Sequence, residues 1–326
     1  MGVPRSVPWR GLWLYRRSPF HEERRAYRQP SSRPVWWPLE QLQAAWQYQP
    51  LRRFLGGKFD RFVEVSMRIS QKLQCQILAH AESVYPSEAC GVLLKTDSGR
   101  EYVPCGNLAV SDRENFVMDH RDYAAAEDRG EVIAVVHSHP DKAPTPSMAD
   151  RVSCELHGLP WGIIGLPSGE MLWFKPSGYR APLLGREFSH GLLDCWGACR
   201  DWYEREAGLT LPNFERKDLW WEDKEGSSLY EDNYERAGFY RVDDLRRGDM
   251  LVFQVPTPGR PCYHPNHAAI YLGAEPHLRS EEAPALGGSG PFIYHHMAGR
   301  AAAREIYGWS MANRLRLILR HKDFSE

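Results

Sequence analysis

Four polar residues within the stretch VVHSHPDKAPTPSMADR, residues 135–151, have the types and spacing of a metal site. His137 and His139 end an apolar run, and both imidazoles point to the same face because side chains alternate along a β-strand. Ser147 follows a proline-rich loop as a helix N-cap, and Asp150, three residues later, shares its helix face. Two imidazoles and a carboxylate suit a zinc ion that keeps one position open for water. The sequence therefore predicts a zinc site.

A zinc ion in such a site lowers the pKa of its water to about 7 and polarises a carbonyl group, so amide hydrolysis also needs a nearby base. Glu88, in PSEACG before an apolar strand, is the candidate for that base. Ser147 could donate a hydrogen bond to the tetrahedral oxyanion. The alternative is that the two histidines only hydrogen-bond a loop. The spacing of Ser147 and Asp150 and the upstream glutamate disfavour it.

A second set of residues could carry out nucleophilic chemistry. Cys195 follows an N-cap residue, so it lies in a first helical turn, where the helix dipole favours a thiolate and lowers the cysteine pKa. His267 opens the strand-like segment HAAIYLG and could act as base, with His295 or His296 of FIYHHM orienting its imidazole. The alternative for Cys195 is a small buried residue on an amphipathic helix.

The elements around the first set are mixed in type. Apolar spacing predicts a helix over residues 71–83, and an alanine-rich stretch predicts another over 119–128 with Gly130 as its C-cap. Strands are predicted in CGVLL, at 102–103 as the second arm of a hairpin, at 132–139, near 161–166 and at 171–174. Because no regular βαβ repeat appears, the fold class is predicted to be α+β with a mixed sheet.

The second set lies in a separate predicted domain. Prolines and glycines in residues 176–190 indicate a linker, so we expect domains at 67–175 and 191–326. Asp194 caps a predicted helix that ends at Gly208. A further helix is predicted around 229–237, and strands at 249–255, 267–272, 292–296 and 314–319. One helix followed by an antiparallel sheet is again α+β.

Composition narrows the functional classes. The 326 residues suffice for two domains with cores, and the net charge is −1. Nothing in the mildly acidic main body indicates a nucleic-acid groove, so no nucleic-acid partner is expected. No apolar run approaches the roughly 20 residues of a membrane span, and no signal peptide is evident. Seven scattered cysteines without a CxxC pair favour free thiols in a reducing compartment.

Residues 1–66 differ from the rest. They contain twelve arginines and lysines against five acidic residues and five of the twelve tryptophans, and prolines interrupt every periodicity except a candidate helix at 39–48. One interpretation is a basic arm that binds an acidic partner. The favoured interpretations are a disordered extension, or a start assigned too early, with Met67 as the true beginning.

The first motif, Glu88 followed by H-S-H-P-x6-S-x2-D, resembles that of the JAMM/MPN metallopeptidases, an upstream glutamate and H-x-H-x7-S-x2-D. That family cleaves amide and isopeptide bonds. The resemblance implies that His137, His139 and Asp150 bind zinc, that Glu88 is the acid/base and that Ser147 assists. It also implies a JAMM/MPN-like mixed sheet with helices for the first domain.

The second motif, DCWG at a helix start with HAAIYLG on a strand, resembles the NlpC-type cysteine peptidases, which cleave peptide stems of bacterial peptidoglycan. The resemblance implies a papain-like domain with Cys195 as nucleophile, His267 as base and His295 as third member. His296 stays open for that third role, because the insertion after His267 is longer than usual.

The order of the two domains resembles that of tail assembly proteins of lambda-like phages, in stretches such as GREFSHGLLDC and LYEDNYERAGFY. The resemblance implies a phage tail protein with two peptidase sites, with host peptidoglycan and other tail tip proteins as partners. It would be made in the host cytoplasm and would act from the tail tip at the cell wall. The rival hypothesis is a structural assembly factor that uses both folds as binding modules. A third is peptidoglycan binding without turnover.

Overall fold

The computed structural model describes Glu64 and residues 67–325. The predicted N-terminal extension, with its candidate helix at 39–48, therefore lies outside the described residues except for Glu64. Across the described part of the chain, every helix is too short or too polar to cross a membrane.

The first sheet is formed by the first five strands of the described chain. The elements are α1 Gln71–Val84, β1 Cys90–Thr96, β2 Gly99–Cys105, α2 His120–Glu127, β3 Glu131–His139, α3 Met148–His157, β4 Trp161–Gly165 and β5 Met171–Phe174. The strands lie in the order β2-β1-β3-β4-β5. The only parallel pair among these strands is β3 with β4, which α3 connects. The predicted mixed sheet is thus confirmed.

The central strand β3 positions both histidines of the first motif. It lies between β1 and β4, so its carboxyl end is covered on both sides, and His137 is buried. Cys90 of β1 pairs with His137, and the Ser138 N–H donates to the Ala89 carbonyl oxygen at 2.9 Å. Continuing that antiparallel register by two residues beyond the Cys90–His137 pair places Glu88 opposite His139.

The predicted C-cap of α2 is wrong. The helix ends at Asp128, which keeps right-handed backbone angles, and Gly130 lies beyond the cap. A Cβ atom at Gly130 would lie 2.6 Å from the carbonyl oxygen of Lys95 in β1. The glycine therefore permits a close approach of two backbone segments.

The second sheet is formed by the last six strands of the described chain. The elements are α4 Cys195–Ala207, a 3₁₀ helix Trp220–Glu222, β6 Phe239–Arg241, β7 Met250–Phe253, β8 His267–Gly273, β9 Phe292–His295, β10 Ala303–Ile306, α5 Trp309–Ala312 and β11 Leu315–His321. The strands lie in the order β10-β9-β8-β7-β11-β6, and every neighbouring pair is antiparallel. The helix α4 buries Cys199, Trp202 and Tyr203 in the core shared with this sheet. The predicted helix with an antiparallel sheet is confirmed, although β6 and β10 were not predicted.

The helix predicted around residues 229–237 is wrong, because this stretch forms a series of turns. The side-chain amide of Asn233 donates to the Leu229 carbonyl oxygen at 2.9 Å, which is the bond that its backbone N–H would make in an α-helix. The Asn233 N–H instead donates to Tyr230, at 3.3 Å. Asparagine side chains compete with the helix backbone in this way.

The stretch between the two sheets is irregular. Residues 175–188 form neither helix nor strand. The Glu155 carboxylate on α3 accepts hydrogen bonds from the N–H groups of Ser177 (2.6 Å) and Tyr179 (2.9 Å). Farther along, the N–H groups of Leu183 and Leu184 donate to Glu281 at 2.7 and 2.8 Å. Backbone polar groups of this stretch are therefore paired with acidic side chains.

Candidate active sites

The first site brings together His137, His139 and Asp150, all three buried. The Nε2 atoms of the two histidines lie 3.1 Å apart. Asp150 Oδ1 lies 3.2 Å from His137 Nε2, and its Oδ2 lies 3.4 Å from His139 Nε2. Ligands that bind zinc tetrahedrally at about 2.0–2.1 Å are separated by about 3.3 Å. The two imidazole nitrogens and the Asp150 carboxylate therefore lie close enough together to hold a zinc ion.

The orientation of the two rings supports the same conclusion. His139 Nδ1 lies 3.2 Å from the Ala143 carbonyl oxygen, which only accepts, so this nitrogen carries a proton. Burial lowers the pKa of His139, but the hydrogen bond and charge of Asp150 outweigh it and raise the pKa, so Nε2 presents its lone pair to a metal once that nitrogen has lost its proton. His137 Nδ1 has no hydrogen-bond partner among the described residues, and its ring packs against Phe116 and Trp161 at centroid distances of 4.9 and 5.5 Å. Burial lowers the pKa of His137, which favours the neutral form that binds metals.

A capping box at the start of α3 fixes the carboxylate. Ser147 Oγ accepts from the Asp150 N–H at 3.1 Å, while the Ser147 N–H and hydroxyl both donate to Asp150 Oδ2 at 2.7 Å. Burial pushes the pKa of Asp150 upward, but His137 and His139 outweigh it and hold the pKa below its ordinary value. The one hydroxyl proton of Ser147 is engaged by Asp150, so donation to an oxyanion would require the hydroxyl to rotate.

Glu88 lies beside this site and is buried. Burial raises its pKa to about 8, with Asp150 adding to the increase and His139 opposing it. Its backbone is fixed on both sides, because its N–H donates to the Asp112 carbonyl oxygen (2.6 Å) and its own carbonyl oxygen accepts from Asn107 Nδ2 (3.1 Å). Such a carboxyl group can hold or release a proton near neutral pH.

The second site begins at the N-terminus of α4. Asp194 caps the helix by accepting from the Gly197 N–H at 2.8 Å, as predicted, and Cys195 is the first helical residue. Cys195 Sγ lies 3.3 Å from the Tyr230 hydroxyl and 3.9 Å from the Asn266 carbonyl oxygen, next to the start of β8. Burial raises the pKa of the Cys195 thiol to about 11, and Asp194 raises it further. The predicted lowering is therefore wrong, because desolvation and a neighbouring carboxylate outweigh the helix dipole.

The strands β8 and β9 bring two histidines into contact. Ala269 pairs with His295, and His267 Nε2 lies 3.0 Å from His295 Nδ1. Burial lowers the pKa of His267 well below its ordinary value, and His295 and His296 lower it further. The resting site thus contains a neutral thiol and a neutral imidazole. His296 packs instead against Phe188, with ring centroids 5.2 Å apart, so His295 is the histidine that contacts His267.

Sequence reasoning missed two residues of this site. Tyr230 lies in the stretch that was wrongly predicted as a helix. Glu305 lies on the unpredicted strand β10, with Oε2 3.3 Å from His295 Nε2 and Oε1 bound by Arg300. The alternating pattern of AREI is a weak strand signal and was the only one available for Glu305.

Comparison with known proteins relates each site to a family. Residues 70–175 match the prokaryotic homologues of the JAB domain, and residues 185–316 match the NlpC/P60 family. The tail tip assembly protein K of Escherichia phage N15 is 35% identical over 254 residues, which cover 78% of this chain and 96% of that relative. The protein of the same name from Escherichia phage lambda is 34% identical over 210 residues, 63% of this chain and 89% of the relative.

The chain belongs to the tail tip assembly protein K family. The expected resemblance and the order of a JAB-like domain before an NlpC/P60 domain are thereby confirmed.

Two solution structures are also similar. A protein from Desulfitobacterium hafniense is 29% identical, covering 32% of this chain and 78% of its own, with a TM-score of 0.27. A Salinibacter ruber protein is 22% identical, covering 38% and 100%, with a TM-score of 0.25. Neither likeness extends to the whole chain of this tail tip protein.

Proposed function

We propose that this tail tip protein is a peptidase that hydrolyses stem peptides of host peptidoglycan at Cys195. The observation that supports it most is the convergence of one nucleophile-bearing helix start and two aligned histidines within the region that matches the NlpC/P60 family. We place this activity in a domain at 191–326, joined through a linker at 176–190 to a zinc-binding domain at 67–175.

The neutral thiol and imidazole define how the reaction would begin. His267 removes the thiol proton as the Cys195 sulfur attacks the amide carbon, which forms an S–C bond and an oxyanion. Tyr230, whose hydroxyl lies 3.3 Å from the sulfur, donates to that oxyanion. The imidazolium of His267 then protonates the leaving amine as the C–N bond breaks, and His295 holds the ring throughout. Water, deprotonated by His267, hydrolyses the thioester and restores the thiol.

The first site would perform a second amide hydrolysis. His137, His139 and Asp150 would hold zinc, which supplies a Lewis acid for the amide carbonyl and lowers the pKa of a water molecule. Glu88 would take a proton at its buried carboxylate and pass it to the leaving amine, a role that suits its raised pKa. Ser147 would assist by holding Asp150 through two hydrogen bonds.

The names of the two phage relatives describe tail tip assembly. We place this chain with other tail tip proteins during assembly in the host cytoplasm, and at the tail tip when the phage meets the cell wall. Peptidoglycan is then the substrate that the Cys195 site encounters, and cleavage of its peptide crosslinks would open a path for the tail.

The test is digestion of purified Gram-negative peptidoglycan by the full chain under reducing conditions. We expect release of stem-peptide fragments, and we expect Cys195→Ala to release none. Cys75→Ala is the matched control, because Cys75 is an exposed cysteine on α1 of the other domain. If wild type and Cys195→Ala release equal amounts of fragments, or if neither releases any, the hydrolase assignment is wrong. Sedimentation with peptidoglycan would then separate wall binding without turnover from an assembly role.

A further inference from the structure

We propose that Glu305 is a positioning residue that fixes the tautomers of His295 and His267, so that Nδ1 of His267 is left unprotonated to receive the Cys195 proton. This inference rests on the proposed function of the cysteine site. It extends the histidine pair to a chain that runs from His267 through His295 and Glu305 to Arg300.

The sheet register places Glu305 within reach of His295. On the β9–β10 pair, Ala303 lies opposite His295 and Glu305 lies opposite Ile293. Residues two apart on a strand share a face, so Glu305 and His295 lie diagonally on the same face of the sheet. A long side chain spans that diagonal.

The contacts fix which carboxylate oxygen faces which partner. Glu305 Oε2 lies 3.3 Å from His295 Nε2, and Arg300 binds Oε1. The side chain of His295 is 4% exposed and that of Glu305 is 33% exposed, so the contact lies at the edge of the buried site. Arg300 holds one oxygen and thereby keeps the other directed at the histidine ring.

The chemistry of the acceptor determines the proton positions. An ionised carboxylate only accepts hydrogen bonds, so His295 Nε2 must carry a proton. Burial lowers the pKa of His295, which favours its neutral form, so His295 Nδ1 then carries none. Because that nitrogen must accept, His267 Nε2, 3.0 Å away, must donate. A neutral His267 that is protonated at Nε2 has a free lone pair at Nδ1, as a general base requires.

The substitution Glu305→Gln should reverse which ring nitrogen carries the proton in His295 and His267. The guanidinium of Arg300 only donates, so it would retain the amide oxygen of the glutamine and turn the amide NH₂ toward His295 Nε2. His295 Nε2 would then have to accept, which moves the proton of His295 to Nδ1 and that of His267 away from Nε2. The base at His267 Nδ1 would be lost although every side chain keeps its size.

The direct test is the tautomeric state of both histidines in the full chain with ¹⁵N-labelled histidine, read from long-range ¹H–¹⁵N correlation spectra near pH 7.5. We expect Nε2–H on His267 and His295 in the wild type and Nδ1–H on His295 in Glu305→Gln. The same tautomers in both proteins would overturn the assignment. This readout needs no turnover, so it stands apart from the test of the proposed function.

The kinetic test uses peptidoglycan digestion. We expect Glu305→Gln to lower kcat at least about tenfold with little change in KM, since general acid–base catalysis contributes about 10²–10⁴-fold. Arg300→Met in the Glu305→Gln background frees the amide to rotate and should restore part of kcat. Glu275→Gln is the matched control at an exposed carboxylate, 84% exposed. Unchanged kcat in Glu305→Gln, or absence of rescue by Arg300→Met, would overturn the positioning role.

Discussion

The two candidate sites differ in how their residues are distributed and in how they are charged. The donors of the first site lie within residues 137–150, on one strand end and the next helix start, and only Glu88 comes from elsewhere. The second site draws Cys195, Tyr230, His267 and His295 from four separate segments. A contiguous site depends on local geometry, whereas the dispersed site depends on the packing of α4 against the sheet and on strand register.

The charge states differ as well. In the first site Asp150 is held ionised by two histidines, and a cation would complete the arrangement. In the second site burial favours the neutral forms of both Cys195 and His267. The first site is therefore arranged to hold charge before substrate arrives, while the second develops charge only as the sulfur attacks.

The largest expected effect concerns the neutral thiol. Because a thiol is protonated below its pKa, and burial raises that of Cys195 to about 11, the thiolate fraction should rise about tenfold per pH unit. We expect the alkylation rate of Cys195 to increase about a thousandfold between pH 7 and pH 10, measured by mass spectrometry of the modified peptide. The exposed Cys75 in the same digest serves as reference. An alkylation rate that reaches a plateau below pH 8 would indicate a thiolate–imidazolium pair. The two sites would then no longer differ in whether they carry charge at rest.

The sequence could predict those residues whose positions depend on their neighbours in the chain, and not those whose positions depend on tertiary packing. The proximity of His137, His139 and Asp150 was predictable because strand alternation and helix capping are set by nearby residues. Tyr230 and Glu305 were missed because a run of turns brings one and an edge-of-sheet strand brings the other. The pKa direction at Cys195 was wrong because desolvation depends on tertiary packing, which the helix-dipole argument omits.

Metal content tests whether the sites are independent. Removal of one of three protein ligands in His137→Ala should weaken zinc binding by about a hundredfold or more, beyond the 10–100-fold typical of outer-shell changes. We expect Cys195→Ala to bind zinc like the wild type, with content and affinity measured by elemental analysis and chelator competition. His157→Ala, at an exposed histidine on α3, is the matched control. Zinc binding that survives His137→Ala would contradict the ligand assignment.

The smallest expected effects are on folding stability, when one glycine near each site is replaced by alanine. A Cβ atom at Gly165 would lie 2.8 Å from the Lys142 carbonyl oxygen, in the loop between His139 and the start of α3. One at Gly197 would lie 2.4 Å from the Leu192 carbonyl oxygen, beneath the first turn of α4. Overpacking destabilises by about 1–3 kcal/mol. In the helix, the higher propensity of alanine offsets about 1 kcal/mol of this.

We therefore expect Gly165→Ala to lower the free energy of unfolding by about 2 kcal/mol and Gly197→Ala by about 1 kcal/mol, measured by denaturant titration. Gly287→Ala is the control, since a Cβ there meets no atom within 4 Å. Because each glycine contacts the loop or turn of its own site, Gly165→Ala should weaken zinc binding and spare peptidoglycan digestion, and Gly197→Ala should do the reverse. If either variant impaired zinc binding and peptidoglycan digestion equally, a structural change at one site would be transmitted to the other. The two sites would then not be independent, even though one is built from neighbouring residues and the other from distant segments.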